Sequence, residues 1–183
     1  MTETAQFGAK RVPLTAKQGL VNDVFHSVAR RYDLMNDLMS FGLHRAWKDA
    51  LVTAVNPPRA APFAVLDIAG GTGDIAFRLI EAGGAGTQIT ICDINPEMLE
   101  VGRERAAMSG GNAPIAFAEG NAEALPFADN SFEVVMSVTV IEETDADRML
   151  AEMVRVTKPG GRVAVISRAL DLASPMCNSL NLI

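Results

Sequence analysis

The chain has 183 residues, a net charge of −6 and a hydrophobic content of 49%, which suit a folded domain with a substantial core. It has no basic tract, so nucleic acid is not expected as a partner, because phosphate binding depends on clustered lysine and arginine. The absence of an apolar signal segment and of a bilayer-length apolar run favours the cytoplasm, and Cys92 and Cys177 indicate neither a disulfide framework nor a metal site.

The N-terminal third of the chain is predicted to be an arm followed by helices. Residues 1–20 lack apolar periodicity and are expected to form a mobile arm ahead of a single domain over residues 21–183. Apolar residues then recur at three- and four-residue spacing, which predicts a helical cap over residues 21–58. Its last helix should stop before Asn56-Pro57-Pro58. That helix is expected to contain Trp47, Leu51 and Val55.

Beyond the cap, short apolar runs alternate with helical patterns. Strands are predicted over residues 64–68, 87–92, 114–118, 133–138 and 162–167, and helices over residues 75–80, 96–108 and 145–156. Asn95 is a suitable N-cap for the second of these helices, with Pro96 at the first helical position. The alternation predicts parallel βαβ units in a doubly wound α/β sheet.

Two local patterns near the C-terminus complete the predicted elements. The helix over residues 145–156 should turn its apolar face inward, with Met149, Leu150, Met153 and Val154. The segment Lys158-Pro159-Gly160-Gly161 is predicted to be a turn before the fifth strand. The last twelve or so residues have no pattern that indicates an element.

A glycine-rich turn joins the first strand to the following helix. It contains Gly70, Gly71 and Gly73 and has an acidic residue on each side, Asp67 and Asp74. Because glycine has no Cβ, backbone amides can approach a ligand closely at the carboxyl edge of a parallel sheet. The spacing differs from the dinucleotide pattern GxGxxG, and flanking carboxylates would repel a pyrophosphate. They suit a ligand that carries an ammonium and a sulfonium group, such as S-adenosylmethionine.

Polar residues also follow the second and third predicted strands. Asp93 lies about twenty residues after the last glycine, where an acid contacts ribose hydroxyls in nucleotide-binding βαβ units. The simpler interpretation is a carboxylate that precedes a helix. Asn121 and Ala122 follow the third strand and are placed to bind the adenine edge, with Leu125 or Phe127 as an apolar wall. An ordinary turn is the alternative there.

Four segments together closely resemble the ubiquinone/menaquinone biosynthesis C-methyltransferases. They are VFHSVARRYDLMNDLMSFGLHRAWKD (residues 24–49), VLDIAGGTGDIAF (65–77), DINPEMLEVGRERA (93–106) and NAEALPFADNSFE (121–133). The resemblance implies a Rossmann-like class I methyltransferase fold with S-adenosyl-L-methionine as cofactor. It also implies methyl transfer to a ring carbon of a polyprenylated benzoquinol or demethylmenaquinol.

The same resemblance implies roles for individual residues. The implied cofactor contacts are Thr72, Asp93, Asn121, Ala122 and Ser137, in addition to the glycines and Asp67. Tyr32 and Asp49 are implied to belong to the catalytic, substrate-side group, although core packing is an equal alternative for Tyr32. A quinol carbon becomes nucleophilic when a ring hydroxyl loses its proton, so a proton acceptor is required. His26 and His44 are further candidates, for which we favour a surface position on helices.

The chain departs from the family pattern after the fourth strand. Where the family has phenylalanine-glycine-leucine-arginine-asparagine-valine, residues 137–147 read SVTVIEETDAD, so the arginine and asparagine linked to the chemistry are absent. A class I methyltransferase also has two strands beyond the fifth, which we expect to be missing, leaving a sheet edge unpaired. Two alternatives therefore stay open: a methyltransferase of another small molecule, and a cofactor-binding, inactive partner or scaffold protein.

A polyprenylated substrate would require contact with a membrane. The sequence has no basic amphipathic face that would attract anionic lipid, so peripheral contact with the inner membrane would be apolar or mediated by a partner. The expected partner is a lipidic quinol, and a homo-oligomer is compatible with the sequence.

Overall fold

The computed structural model of the chain describes residues 4–7, 10–13, 43–109, 113–138, 144–166 and 180–182. Within these ranges the strands are β1 (Thr4–Phe7), β2 (Lys10–Pro13), β3 (Phe63–Ile68), β4 (Thr87–Asp93), β5 (Ile115–Glu119), β6 (Phe132–Val138), β7 (Thr157–Ile166) and β8 (Leu180–Leu182). The helices are α1 (Leu43–Val55), α2 (Asp74–Ala82), α3 (Pro96–Met108) and α4 (Ala146–Val156).

One sheet organises most of the described chain, with the strand order β5-β4-β3-β6-β7-β8. Strands β3 to β7 are parallel, and β8 runs antiparallel to β7. Within this sheet, the chain first forms the central strand β3, then moves outward through β4 to β5, and returns to the other side of β3 at β6. This reversal creates a crevice at the carboxyl edge, where open α/β sheets bind ligands. The predicted doubly wound, mostly parallel sheet is confirmed.

Helices cover both faces of this sheet. On one face α1, α2 and α3 pack against the strands through the buried leucines Leu51, Leu79 and Leu99. On the other face α4 contributes the buried residues Met149, Met153 and Val156. Strands that are covered on both faces need apolar residues on both, which is why β3 and β6 are largely apolar in sequence.

The inward face of α4 differs in part from the prediction. Met149 and Met153 are fully buried and Leu150 is half-buried, but Val154 is 62% exposed. The prediction for Val154 is therefore wrong. Val156 is buried instead and lies on the same helical face as the two methionines, because Met149, Met153 and Val156 follow one another at spacings of four and three.

The start of β7 also differs from the prediction. The segment Lys158-Pro159-Gly160-Gly161 lies inside the strand and does not precede it as a turn. Phe132 pairs with Thr157 and Val134 pairs with Arg162, so the extra residues of β7 form an irregularity in the ladder. Gly160 has a φ of 78°, a conformation that glycine adopts readily.

Helix α1 agrees with the predicted last helix of the cap and ends directly before Asn56. The guanidinium of Arg162 on β7 donates hydrogen bonds to the carbonyls of Ala54 and Val55 and so supplies partners for the C-terminal end of α1. The rest of the predicted cap before residue 43 lies outside the described residues. In the part of the chain that the structure describes, none of the helices is long and apolar enough to cross a membrane.

Two short pairings fall where the sequence indicates no element. Strands β1 and β2 pair antiparallel within the predicted N-terminal arm, and the mobility of that arm stays a prediction. Strand β8 pairs antiparallel with residues 164–166 of β7. The sheet edge that we expected to be unpaired thus carries a short strand, which corrects the expectation for that edge.

Candidate functional site

The glycine loop, residues 69–73, connects the central strand β3 to α2. Ala69 donates a hydrogen bond through its amide to the carbonyl of Cys92 at 2.7 Å, and the Gly73 amide donates to the Gly70 carbonyl at 2.9 Å. Gly73 has a φ of 82°, and a Cβ there would lie 2.7 Å from Cδ1 of Ile91. The left-handed backbone conformation therefore favours glycine at this position, and a Cβ there would also require the end of the Ile91 side chain to shift.

Asp67 lies beside this loop and is 1% exposed. Its Oδ2 atom has no hydrogen-bond partner within the described structure, and a Cβ on Gly70 would come within 2.8 Å of that atom. Burial raises the pKa of Asp67 to about 8; the charges of Asp93 and Asp74 add to the rise, and Lys48 opposes it. A buried, unpartnered carboxyl group is costly unless a further group binds it, so the site fits a cationic ligand.

The other acid that flanks the loop is already neutralised by the protein. Asp74 forms ion pairs with Lys48 at 2.9 Å, with Arg78 at 3.2 Å and with Arg105 at 3.6 Å. Burial alone would raise the pKa of Asp74, but the hydrogen bonds and charges of Lys48 and Arg78 hold it below its ordinary value. Of the two flanking acids, Asp67 is therefore the one better suited to bind a ligand.

Asp93 ends β4 and binds the glycine loop directly. Its Oδ2 accepts a hydrogen bond from the Gly71 amide and its Oδ1 accepts one from the Asn95 amide, both at 2.9 Å. Burial raises the pKa of Asp93, and the amides of Asn95, Gly71 and Ile94 counteract the rise. The carboxylate is thus oriented at the carboxyl edge of the sheet, next to the loop.

Ile94 is a candidate site residue that the sequence interpretation missed. Its side chain is 60% exposed, which is unusual for a large apolar residue that directly follows a buried strand. In the sequence, the position of Ile94 between the strand-end acid Asp93 and the N-cap Asn95 is the feature that could have indicated a place at the site. An exposed apolar surface at this edge is suitable for packing against a flat ring.

Ser137 and Thr72 are both buried at the same edge of the sheet. Ser137 lies opposite Ile68 in the β3–β6 ladder, and its hydroxyl donates to the Ile68 carbonyl at 3.0 Å. Thr72 is 4% exposed, and its hydroxyl and carbonyl oxygens both accept from Nη1 of Arg105. These contacts fix Ser137 next to the loop and Thr72 within it, while their contact with a cofactor stays a prediction.

The segment after β5 carries Asn121 and Ala122. The Gly120 amide donates to the Asp93 carbonyl at 3.0 Å, which places the start of this segment beside the strand-end acid. Asn121 is exposed, and its Oδ1 accepts from the Glu123 amide at 2.9 Å, whereas Ala122 is half-buried. The structure brings both residues to the predicted edge, and their contact with adenine stays a prediction.

Arg155 of α4 fixes the next part of this segment, a contact that no sequence pattern indicates. Its guanidinium donates to the carbonyl of Phe127 at 2.8 Å and of Leu125 at 3.1 Å, and it pairs with Glu152 at 2.6 Å. Leu125 is buried and Phe127 packs against the same hydrophobic cluster. Both proposed wall residues therefore contribute to the core below the site.

The substrate-side residues are only partly described. Tyr32 and His26 lie outside the described residues, as does the side chain of His44. Asp49 on α1 is exposed, and its Oδ1 accepts a hydrogen bond from Nη1 of Arg78 at 2.6 Å. Because Arg78 also binds Asp74, Asp49 is connected to the start of α2.

Among the side chains described, no group of three or more histidine, cysteine, aspartate or glutamate residues could hold a metal ion.

The strand order, the glycine loop and the strand-end acid define a Rossmann-like class I methyltransferase fold. Solved structures agree. The YcgJ protein of Bacillus subtilis is similar with a TM-score of 0.61 and 26% identity, over 68% of this chain and 51% of that one. Phosphoethanolamine N-methyltransferase 2 of Haemonchus contortus, in complex with S-adenosyl-L-methionine, is similar with a TM-score of 0.59 and 28% identity, over 67% of this chain and 28% of that one.

The model of the ubiE/COQ5 methyltransferase family matches residues 13–180, and the chain belongs to this family. It is 58% identical over 162 residues to the ubiquinone/menaquinone biosynthesis C-methyltransferase UbiE of Nitrobacter hamburgensis, which covers 87% of this chain and 64% of the relative. The protein of the same name from Bradyrhizobium diazoefficiens is 57% identical, with the same coverage. The chain thus spans 64% of the length of these curated relatives.

Proposed function

We propose that this chain binds S-adenosyl-L-methionine at the carboxyl edge of the sheet and transfers its methyl group to a ring carbon of a polyprenyl benzoquinol or demethylmenaquinol. The observation that carries the cofactor proposal is the buried Oδ2 of Asp67, which has no partner in the described structure and lies against the glycine loop. The names of the relatives that are 57–58% identical support the acceptor class.

The residues present fit this cofactor. Asp67 would hold its ammonium group, Asp93 its ribose hydroxyls and Ile94 its adenine ring, and the glycine loop, which includes Thr72, would contact the cofactor. Asn121 and Ala122 would line the adenine side, and Ser137 would support the loop from β6. When bound, S-adenosyl-L-methionine supplies an electrophilic methyl group on its sulfonium.

The remaining task of the protein is to prepare the acceptor. A ring hydroxyl must lose its proton before the neighbouring carbon becomes a good nucleophile, and we propose Asp49 and Tyr32 as the groups that orient or accept this proton. Nη1 of Arg78 donates a hydrogen bond to the carboxylate of Asp49 at 2.6 Å and connects it to the start of α2. Positioning of the two reactants and exclusion of water account for the rest of the catalysis. A polyprenyl tail also places the reaction at the inner membrane, which the protein would contact peripherally.

A second acceptor class deserves a test because residues 137–147 depart from the family pattern. This stretch begins at Ser137, which the β3–β6 ladder places next to the glycine loop. The departure of this sequence from the family pattern supports, as the alternative, an acceptor other than a quinol, or a protein that binds the cofactor without turnover.

The test is a methyl-transfer assay with radiolabelled S-adenosylmethionine and two acceptors, demethylmenaquinol and a methoxy-benzoquinol analogue. Complementation of a quinone-methylation mutant accompanies it. We expect a methylated product from at least one quinol, and a reduction of kcat by about 100-fold or more in Asp49→Asn and in Tyr32→Phe, with cofactor binding retained. Cofactor binding without methylation of either quinol would contradict the acceptor class and support the alternatives.

Asp129→Asn is the matched control for Asp49→Asn. Both carboxylates are 67% exposed and each pairs with an arginine, Asp49 with Arg78 at 2.6 Å and Asp129 with Arg155 at 2.7 Å. Asp129 lies after β5 and has no proposed role in proton transfer. Equal kcat values for wild type, Asp49→Asn and Asp129→Asn would remove Asp49 from the mechanism.

A further inference from the structure

Arg105 on α3 binds the glycine loop across 33 positions of sequence. Its Nη1 atom donates to the Thr72 hydroxyl at 3.0 Å and to the Thr72 carbonyl at 3.3 Å, and its Nη2 atom lies 3.6 Å from Oδ1 of Asp74. We propose that Arg105 is a positioning residue that fixes the glycine loop in the shape that binds S-adenosylmethionine. The cofactor part of this role rests on the proposed function.

The orientation of the Arg105 guanidinium is itself fixed by packing. Its Cζ atom lies 5.1 Å from the centroid of the Phe77 ring on α2, within the range of a cation–π contact. A planar guanidinium that stacks on a ring and donates along its edges has few alternative orientations. Arg105 thus contacts Thr72, Asp74 and Phe77, which follow one another through the loop and the first turn of α2.

The glycine loop is held from two directions by β4 and the helix that follows it, α3. Asp93, at the end of β4, accepts the amide of Gly71, and Arg105, on the helix that follows β4, donates to the carbonyl of the next residue, Thr72. Helix α3 also lies next to the loop here, because a Cβ on Gly102 would be in van der Waals contact with the Thr72 carbonyl oxygen, at 3.4 Å. The β4–α3 unit therefore determines the shape of a loop that belongs to the β3–α2 unit.

A loop that is ordered before the ligand arrives costs less free energy to organise on binding. Gly71 and Gly73 both have positive φ and have other conformations available once a restraint is lost. Loss of the guanidinium should therefore weaken binding of the cofactor and leave the reacting groups intact. In kinetic terms, the KM for S-adenosylmethionine should rise while kcat at saturation changes little.

The experiment compares Arg105→Met with Arg103→Met. Arg103 is on the same helix, its Cζ lies 5.6 Å from the Phe117 ring, and it pairs with Glu100 on α3, so it matches Arg105 in helix position and ring contact. The readouts are the Kd for S-adenosylmethionine by calorimetry, and hydrogen exchange of the amides of residues 71–74 in the ligand-free protein. We expect about tenfold weaker binding and faster exchange in Arg105→Met, and wild-type values in Arg103→Met.

Arg105→Lys keeps the charge and one donor group but loses the planar guanidinium, so we expect an intermediate Kd. If Arg105→Met does not fold, Arg105→Lys still tests whether the guanidinium of Arg105 fixes the loop. Wild-type binding and exchange in both Arg105 variants would overturn the role, as would equal losses in the Arg105 and Arg103 variants. If the wild-type protein fails to bind S-adenosylmethionine, the proposed function fails. The exchange data on the ligand-free protein still show whether Arg105 fixes the loop.

Discussion

At the scale of single residues, the two acids that flank the glycine loop have opposite protonation states near neutral pH. Burial, together with the charges of Asp93 and Asp74, raises the pKa of Asp67 to about 8. Lys48 and Arg78 hold the pKa of Asp74 below its ordinary value in spite of its burial. Asp74 is thus part of an internal ion-pair network, whereas Asp67 keeps its proton until a suitable partner stabilises its charged form.

We predict that binding of S-adenosylmethionine releases a proton from Asp67. The free carboxyl is mostly protonated below pH 8, whereas an ammonium group favours its ionised form, so affinity should rise between pH 6 and pH 8 by up to about tenfold per unit. Calorimetry in buffers of different ionisation enthalpy measures the released proton. Asp67→Asn should bind more weakly and without this pH dependence.

Methylthioadenosine is the control ligand for this prediction because it lacks the amino-acid part of S-adenosylmethionine. Its affinity should stay constant over the same pH range. An S-adenosylmethionine affinity that is flat or falls between pH 6 and pH 8, or a proton taken up on binding, would contradict the assigned role of Asp67.

Sequence patterns predicted part of this residue-level arrangement. The glycines, Asp67 and Asp93 were identifiable because short spacing and strand ends determine where they lie. Lys48 and Arg105 were not, because the contact of Lys48 with Asp74 and that of Arg105 with the loop depend on how α1 and α3 lie relative to α2, which no local pattern encodes.

At the scale of secondary-structure elements, α3 is the helix whose start is most clearly determined by its own residues. Oδ1 of Asn95 accepts hydrogen bonds from the amides of Glu97 at 3.0 Å and Met98 at 3.2 Å, and Pro96 occupies the first position. These contacts confirm the predicted N-cap. They also fix the helix that carries Arg105 directly after Asp93.

We predict that Asn95→Ala lowers the free energy of unfolding by about 1 kcal/mol, because two amides at the start of α3 lose their acceptor. Urea unfolding at constant pH measures this change. Asp145→Ala is the comparison, since Oδ1 of Asp145 accepts the Arg148 amide at the start of α4 in the same way. A similar loss is expected there. No change in stability for Asn95→Ala would contradict the capping role.

The elements that sequence patterns missed are those that depend on distant partners. The pairing of β8 with β7 and the long irregular start of β7 are set by neighbouring strands, so local periodicity does not reveal them. For the same reason the sequence alone predicts a turn at Gly160-Gly161, where the structure has a strand. The five parallel strands, in contrast, were predictable because each is a buried apolar run between helical patterns.

At the scale of the whole molecule, the site lies where the chain reverses its direction across the sheet. The glycine loop follows β3, Asp93 follows β4, the Asn121 segment follows β5 and Ser137 is near the end of β6, so four neighbouring parallel strands contribute to one edge. Such an edge explains how residues that are far apart in sequence form one site. Helices α1, α2 and α3 cover one face of the sheet and α4 the other.

Calorimetric titration of the full chain with S-adenosylmethionine at pH 8 tests most directly whether the carboxyl edge of the sheet binds this cofactor. We predict one binding site per chain and unchanged binding in Asp129→Asn. In Asp93→Asn we expect binding to be about tenfold or more weaker, because the asparagine side chain has one acceptor oxygen in place of the two that accept from the amides of Gly71 and Asn95. At a ligand concentration of 100 times Kd, the wild-type protein should be stabilised by about 2.7 kcal/mol. A folded wild-type chain that shows no binding would contradict a cofactor site at this edge, and an Asp93→Asn variant that binds like wild type would contradict the role of Asp93 in it.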